Sequence, residues 1–441
     1  MQRDQIIEAL SIWNFWATEI DTGIRREAYL DLFSRYLSTD EIVTVTGIRR
    51  SGKSTLLLQL LQDRIKKQTP KENTLYINFE EPKFHPVLSL DFLDQVWQAY
   101  LDFFKPAGLV YLVLDEVQRV KGWEQWVRSK YDRKEKVKIF VTGSNKALLS
   151  SEFSSVLTGR HLEVSVWPLS FKEFLAFQGI VSSEDPRWRL RYKKDLARGM
   201  EEYLIVGGFP KVVLTQDPLV RKELLGQYFS DILTRDVAER HQIKETAKLK
   251  NLALLYFNRM AGTFSYNRIK KIADFSLSLD TVHRFSLYLE ESFLLHPLLR
   301  FSFSLKNQMQ AQRKIYLADN GLYNAVALRF SPDRGKLLEN AVFQQLKRTG
   351  KEIYYFSEKK EVDFIVKEGL EVTAAVNVCY DLSDRETYLR ELSGLHEAMK
   401  YFGLREALLI SAVAQPQEIT DAGLKIKIVP FYQWALEGSN A

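Results

Sequence analysis

The stretch EIVTVTGIRRSGKST at 41–55 decides how this chain is read. It opens on Ile42, Val43 and Val45, an apolar run of strand length, and turns through glycines in the spacing GxxxxGK[ST], carried by Gly47, Gly52, Lys53 and Ser54. It then runs into LLLQLLQDRIKK, whose apolar residues recur at helical spacing. Strand, glycine turn and helix in that order let the backbone N–H groups of Gly47, Arg50, Ser51, Gly52, Lys53, Ser54 and Thr55 wrap a phosphate at a helix N-terminus. Lys53 is expected to reach the β- and γ-phosphates, and the Ser54 hydroxyl to sit on a Mg²⁺ ion. ATP and Mg²⁺ are therefore the expected ligands.

Working outward, TLYINFEE at 74–81 reads as a second apolar strand and DFLDQVWQAYLDFF at 91–104 as a helix. A third strand, LVYLVLDEVQ at 109–118, ends in Asp115 and Glu116. Asp115 is expected to hold Mg²⁺ through its water shell, and Glu116 to orient and polarise the water that attacks the γ-phosphate. The fourth strand, VKIFVTGSN at 137–145, carries Thr142, Ser144 and Asn145 at its C-terminal end, where ligands collect in open α/β sheets. Ala147 to Leu157 reads as a helix, and TGRHLEVSVWP at 158–168 as a turn, holding Arg160, before a fifth strand.

A chain of 441 residues exceeds one ordinary core, so roughly two to four domains are expected. Hydrophobic content of 46% with 12% aromatics excludes a disordered chain. The single cysteine, Cys379, excludes an internal disulfide framework and a multi-cysteine zinc site, and fits a reducing compartment. The opening MQRDQIIEAL lacks the basic and apolar regions of an export signal, and no apolar stretch approaches a membrane span, so a cytoplasmic location is expected. A net charge of +6 permits nucleic-acid binding without demanding it.

The order of parts resembles the AAA-type ATPases: loop, acidic strand, polar strand, helix, arginine, strand. That resemblance implies that Arg160 points into a neighbouring subunit's site and stabilises charge there, and hence that the chain forms homo-oligomers, with a ring as one such form. More narrowly, the chain resembles a prokaryotic AAA-type family whose ATPase carries a C-terminal domain of unknown function. The residues that carry the likeness are TGIRRSGKST, LDEVQ, TGSN, LTGR, WPLSFKEF at 167–174, GGFP at 207–210, DILTRD at 231–236, YLADNG at 316–321 and EVDF at 361–364. Related signal-transduction ATPases share an N-terminal segment resembling GIRREAYL at 23–30 and a lid element resembling Gly208, Phe209, Pro210. By that resemblance Arg25 and Pro210 flank the base of the nucleotide.

The expected fold class is α/β: a helical segment at 1–37, a parallel-sheet phosphate-loop core at 38–168, a helical lid at 169–245, a winged helix at 246–331 and an α/β domain at 332–441. Within the lid, PRWRLRYKK at 186–194 interleaves basic residues with Trp188 and Tyr192, which suits nucleic acid as well as a solvated helix face. Ser278 is placed to cap a helix that presents Thr281 and Arg284, as a recognition helix would to a major groove; winged helices also dock proteins. The last segment resembles the restriction-endonuclease-like fold, matching its helix Glu with Glu339 and its strand Asp with Asp363. Asn377 and Cys379 stand where that fold carries Glu and Lys, which removes a charged metal ligand and a cation and speaks against nuclease activity. The functional expectation is an ATPase acting on DNA. The alternatives are a slow nucleotide-controlled switch that docks proteins, and an ATP-gated nuclease.

Overall fold

The computed structural model describes residues 1–146, 159–180, 183, 185–272, 277–328, 333–421 and 423–437. The helix expected over Ala147 to Leu157 lies outside the described residues. The chain divides into two compact units, Met1–Val166 and Trp167–Ala441. None of the described helices is long and apolar enough to cross a membrane.

The first unit is a five-stranded parallel sheet in the order β2-β3-β4-β1-β5. Its strands are β1 (Ile42–Thr46), β2 (Thr74–Asn78), β3 (Val110–Asp115), β4 (Val137–Gly143) and β5 (His161–Ser165). Central strands of such a sheet are covered on both faces, which is why β1 is buried at every position and reads as a continuous apolar run. One face packs against α1 (Arg3–Ser11), α4 (Leu90–Phe104) and α5 (Trp123–Asp132). The other face packs against α2 (Glu27–Tyr36) and α3 (Lys53–Lys66).

The N-terminal segment also closes an edge. Asn14 Nδ2 donates to Tyr76 O at 2.9 Å while Tyr76 N donates to Asn14 Oδ1 at 2.7 Å, and Trp16 Nε1 donates to Thr74 O at 2.9 Å. These side chains occupy polar backbone groups on edge strand β2 that would otherwise template pairing with another chain.

The second unit begins with helices at Phe171–Phe177, Lys193–Val206 and Pro218–Asp231; the last continues as a π-helix over Ile232–Glu239, which contains most of the DILTRD motif. Next come the helix Thr246–Asn258, β6 (Thr263–Phe264), the helices Tyr266–Ile272 and Leu279–Glu291, β7 (Leu295–Leu298) and β8 (Arg313–Leu317). Strands β6, β8 and β7 form a small antiparallel sheet in that order. Ser278 caps the helix Leu279–Glu291 as expected, accepting from Thr281 N at 3.1 Å.

The C-terminal part opens with the helix Arg334–Arg348, followed by β9 (Glu352–Ser357), β10 (Glu361–Glu368), β11 (Glu371–Cys379), β12 (Glu406–Ser411), β13 (Gln417–Asp421) and β14 (Leu424–Pro430). These make a six-stranded mixed sheet in the order β13-β14-β12-β11-β10-β9. The helix, hairpin and strand expected from the sequence are the helix Arg334–Arg348, β9 with β10, and β11.

Two sequence motifs meet inside the second unit. Gly208 N, from GGFP, donates to Asp319 Oδ2 at 2.6 Å, and Leu322 N donates to Asp319 Oδ1 at 3.1 Å. A Cβ on Gly207 would lie 2.2 Å from Asp319 Oδ1, and one on Gly321 would lie 2.1 Å from Val206 O. The glycines of GGFP and YLADNG are thus needed for close approach of two chain segments.

Candidate nucleotide site

The turn between β1 and α3 has the backbone that the glycine spacing implies. Gly52 has φ 97°, Gly47 has φ 145°, and Arg50 adopts φ 71°, a left-handed conformation rare for a side chain of its size. A Cβ on Gly47 would sit 2.1 Å from Val166 O, so no other residue fits where the loop passes the chain leaving β5. Lys53 is buried, and its ammonium donates to Gly47 O at 2.9 Å and Ile48 O at 3.2 Å, folded over its own loop.

The acidic end of β3 faces this loop. Ser54 Oγ donates to Asp115 Oδ2 at 2.8 Å. Tyr76 OH donates to the same oxygen at 2.6 Å, and Thr142 Oγ1 donates to Asp115 Oδ1. Asp115 is buried, and three hydroxyls hold its carboxylate in one orientation. Burial, with the neighbouring Asp115 charge adding to it, keeps the Tyr76 phenol well above its ordinary pKa, so it stays a donor.

Glu116 sits next to this group with φ 55°, a strained backbone for a glutamate of the kind that clusters at functional sites. Its N–H donates to Thr142 Oγ1 at 2.9 Å. Its carboxylate accepts from Gln118 Nε2 at 2.6 Å and Ser144 Oγ at 3.4 Å. Burial pushes the Glu116 carboxyl above the usual range; the Lys53 charge opposes this and the Asp115 charge adds to it. Asn145 is buried immediately beyond Ser144.

These residues fit a nucleotide with its divalent ion. Besides the hydroxyl–carboxylate pair, Thr46 Oγ1 and Ser51 Oγ are buried with no hydrogen-bond partner among the described residues. Such groups at the end of β1 and in the loop are suited to ligand oxygens.

The structure brings together Gly47, Arg50, Ser51, Gly52, Lys53, Ser54 and Thr55 with Asp115, Glu116 and Ser144. It places Arg25 and Arg160 elsewhere in the same unit. Arg25 is held by Asp63, at 2.7 and 3.0 Å, and by Glu27, at 2.8 and 3.2 Å. Its neighbour Arg26 is the one that reaches the loop: it is buried, donates from Nη1 to Ser51 O at 2.9 Å, and lies 4.6 Å over the Tyr29 ring. Arg160 lies at the opposite end of the sheet, where its carbonyl accepts from Ile42 N, and its side chain is 3.4 Å from Asp132. Pro210 begins the helix Pro210–Leu214 of the second unit.

Sequence reasoning missed Arg26, Tyr76 and Gln118. A polar tyrosine inside the apolar run TLYIN and an amide two residues beyond Glu116 were the available signals.

The nuclease-like residues form a separate cluster. Lys314 on β8, almost wholly buried, lies 3.1 Å from Glu339, 2.8 Å from Glu361 and 2.8 Å from Asp363. Tyr316 OH donates to Glu339 Oε1 at 2.6 Å, and Val378 N donates to Asp363 Oδ2 at 3.0 Å. Burial, with the Asp363 charge adding to it, raises the Glu339 carboxyl to about 7. Asn377 does not face the cluster as a ligand. Its Oδ1 accepts from Asp363 N at 3.1 Å, and its Nδ2 donates to Glu391 at 2.8 Å. Cys379 Sγ donates to Asp381 O at 3.1 Å.

A parallel sheet with a lysine-bearing phosphate loop and a Ser–Asp pair at the strand ends defines a P-loop ATPase of the AAA type. The chain belongs to the prokaryotic family that joins this ATPase to C-terminal domains of unknown function: residues 39–175 match the AAA domain, 197–334 the domain DUF8612 and 334–434 the domain DUF4143. An uncharacterized protein of Methanocaldococcus jannaschii is 31% identical over 418 residues, covering 91% of this chain and 89% of its own length. An uncharacterized protein of Haemophilus influenzae is 31% identical over 369 residues, covering 82% and 88%. Among solved structures, the Walker-type ATPase of Pyrococcus abyssi is similar at 16% identity and a TM-score of 0.43, over 68% of this chain and 95% of that one. The Aeropyrum pernix ORC1 protein in complex with DNA is similar at 13% identity and a TM-score of 0.33, over 69% and 93%.

Proposed function

We propose that this chain is a cytoplasmic, Mg²⁺-dependent ATP hydrolase that works as an oligomer and couples turnover to DNA. The observation that carries the hydrolase reading is the 2.8 Å contact between Ser54 and Asp115, with Glu116 buried beside it. A hydroxyl and a carboxylate already in contact at the end of a phosphate loop need only open onto a cation to become its two protein-side partners. Bound Mg²⁺ offsets the charge of the β- and γ-phosphates. Lys53 neutralises phosphate charge from the loop side, and the loop N–H groups fix the phosphates in place. Burial makes the ionised Glu116 carboxylate a stronger base, which suits it to accept the proton of the attacking water, while Gln118 and Ser144 hold it in position.

Arg160 supports the oligomeric part of the reading. It stands at the start of β5, opposite the start of β1, whereas the loop leaves the far end of β1. A strand of that length spans roughly 16 Å, so the guanidinium is remote from its own chain's phosphates and serves a neighbour's. Within the second unit we assign 169–245 as the lid, 246–331 as a winged helix and 332–441 as a nuclease-like domain without activity; in the first unit 1–37 is the N-terminal helical segment. The helix Leu279–Glu291, with Thr281 and the exposed Arg284 in its first turns, is the element offered to a DNA groove.

Steady-state ATP turnover with and without Mg²⁺, and with single- and double-stranded DNA over a range of salt, tests the whole reading. Mg²⁺-dependent hydrolysis stimulated by DNA at low salt is expected. Absence of hydrolysis under every condition overturns the enzyme, while a rate indifferent to DNA overturns only the coupling.

A further inference from the structure

The cluster around Lys314 has the makings of a cation site that already holds its cation. Three carboxylates from two elements, Glu339 on the helix Arg334–Arg348 and Glu361 and Asp363 on β10, converge on one point. That point is the ammonium nitrogen of a lysine from another sheet, β8. Glu339 and Asp363 are nearly closed off from solvent, while the Glu361 side chain is 50% exposed and leaves one open side. Further donors hold two of the carboxylates in place: Tyr316 OH donates to the same Glu339 oxygen that faces the ammonium, and Val378 N fixes the second oxygen of Asp363.

From this geometry we propose that the Lys314 ammonium permanently fills the cation position of a carboxylate site and clasps β8 onto the C-terminal sheet, so that the site takes up a divalent ion only when that ammonium is removed. The distances support the substitution. The three oxygens lie 2.8 to 3.1 Å from the nitrogen, and oxygens bind Ca²⁺ at about 2.3–2.6 Å. A contraction of roughly half an ångström by side chains alone converts one sphere into the other. As they stand around the ammonium, no group of three or more His, Cys, Asp or Glu among the described residues is set to hold a metal. Charge points the same way. One buried lysine cannot stand without counter-charge, and two or three buried carboxylates cannot stand without a cation. Each supplies what the other requires, which ties a strand of the small sheet to the domain that follows it.

Mn²⁺ binding to the full chain in the absence of nucleotide, read by electron paramagnetic resonance, tests this in wild type, Lys314→Met, and Lys314→Met with Asp363→Asn. Lys314→Met matches the four-atom stem of the lysine and removes the ammonium with its charge. It is expected to bind one Mn²⁺ per chain more than wild type, and the double variant to lose that ion; the comparison cancels any ion held at Ser54 and Asp115. A folded Lys314→Met that gains no ion overturns the proposal. So does a wild-type ion that Asp363→Asn alone removes, because the lysine then yields to metal in the native protein. Reductive methylation of the native wild-type chain keeps the proposal falsifiable if Lys314→Met does not fold. Lys314 is expected to remain unmodified both with and without Mn²⁺ while surface lysines react; labelling of Lys314 at the surface rate, or only when Mn²⁺ is added, overturns it.

Discussion

Ser54 Oγ and Asp115 Oδ2 are in hydrogen-bond contact at 2.8 Å, joining the first turn of the phosphate-loop helix to the last residue of β3. The contact is made by elements far apart in sequence: α3 follows β1, and β4 lies between β1 and β3 in the sheet. It fixes the spacing between the glycine-rich loop and the Asp115 carboxylate.

Role separation around that pair gives the first expectation. Lys53→Ala removes a charge from the loop and weakens ATP binding, whereas Glu116→Gln leaves the loop intact and lowers kcat by orders of magnitude with binding retained. Nucleotide titration alongside steady-state kinetics separates the two. Near-wild-type turnover by Glu116→Gln would remove Glu116 from its role.

Arg160 gives the second. Specific activity should rise with protein concentration through the association range, and Arg160→Ala should bind ATP while losing turnover. Mixed with Lys53→Ala, which keeps the arginine but lacks a working site, it should recover part of the activity through subunit exchange. No recovery despite demonstrated co-assembly would confine Arg160 to its own chain or to no role.

Asp319 predicts a pH dependence of folding. Burial, opposed by backbone donors led by Gly208, raises its carboxyl from an ordinary 3.8 to about 6. The folded state thus keeps a proton that the unfolded chain has already lost, so this group's stabilisation is complete below about pH 4 and falls away as pH rises to about 6, a difference of roughly 3 kcal/mol. Asp319→Asn does not titrate and should flatten that part of the slope in urea unfolding of the full chain. Parallel pH profiles for wild type and variant would contradict the assignment.

The nuclease-like cluster gives the fourth. With Mg²⁺ or Mn²⁺ the wild-type protein should leave plasmid and linear DNA uncut, because Lys314 occupies the position a catalytic ion would need. Cleavage that Asp363→Ala abolishes would promote an ATP-gated nuclease instead.

What the sequence determined by itself was local or periodic. The loop from Gly47 to Ser54 is legible because its glycines set backbone angles within a few residues, and Asp115 and Glu116 because they end an apolar run of strand length. The helix, hairpin and strand of the C-terminal part were legible for the same reason. Tertiary structure alone decided which of two adjacent arginines meets the loop: Arg25 is taken by Asp63 and Glu27, leaving Arg26 for Ser51 O. It decided that Tyr76, 39 residues before Asp115, orients that carboxylate, and that Lys314, 49 residues before Asp363, fills the carboxylate cluster. It also decided that Gly208 and Asp319, 111 residues apart, form a joint. Backbone preference acts between neighbours and leaves its mark in spacing, whereas the partner of a buried charge is whichever group packing carries to it, and burial makes that pairing obligatory without fixing where in the chain the partner lies.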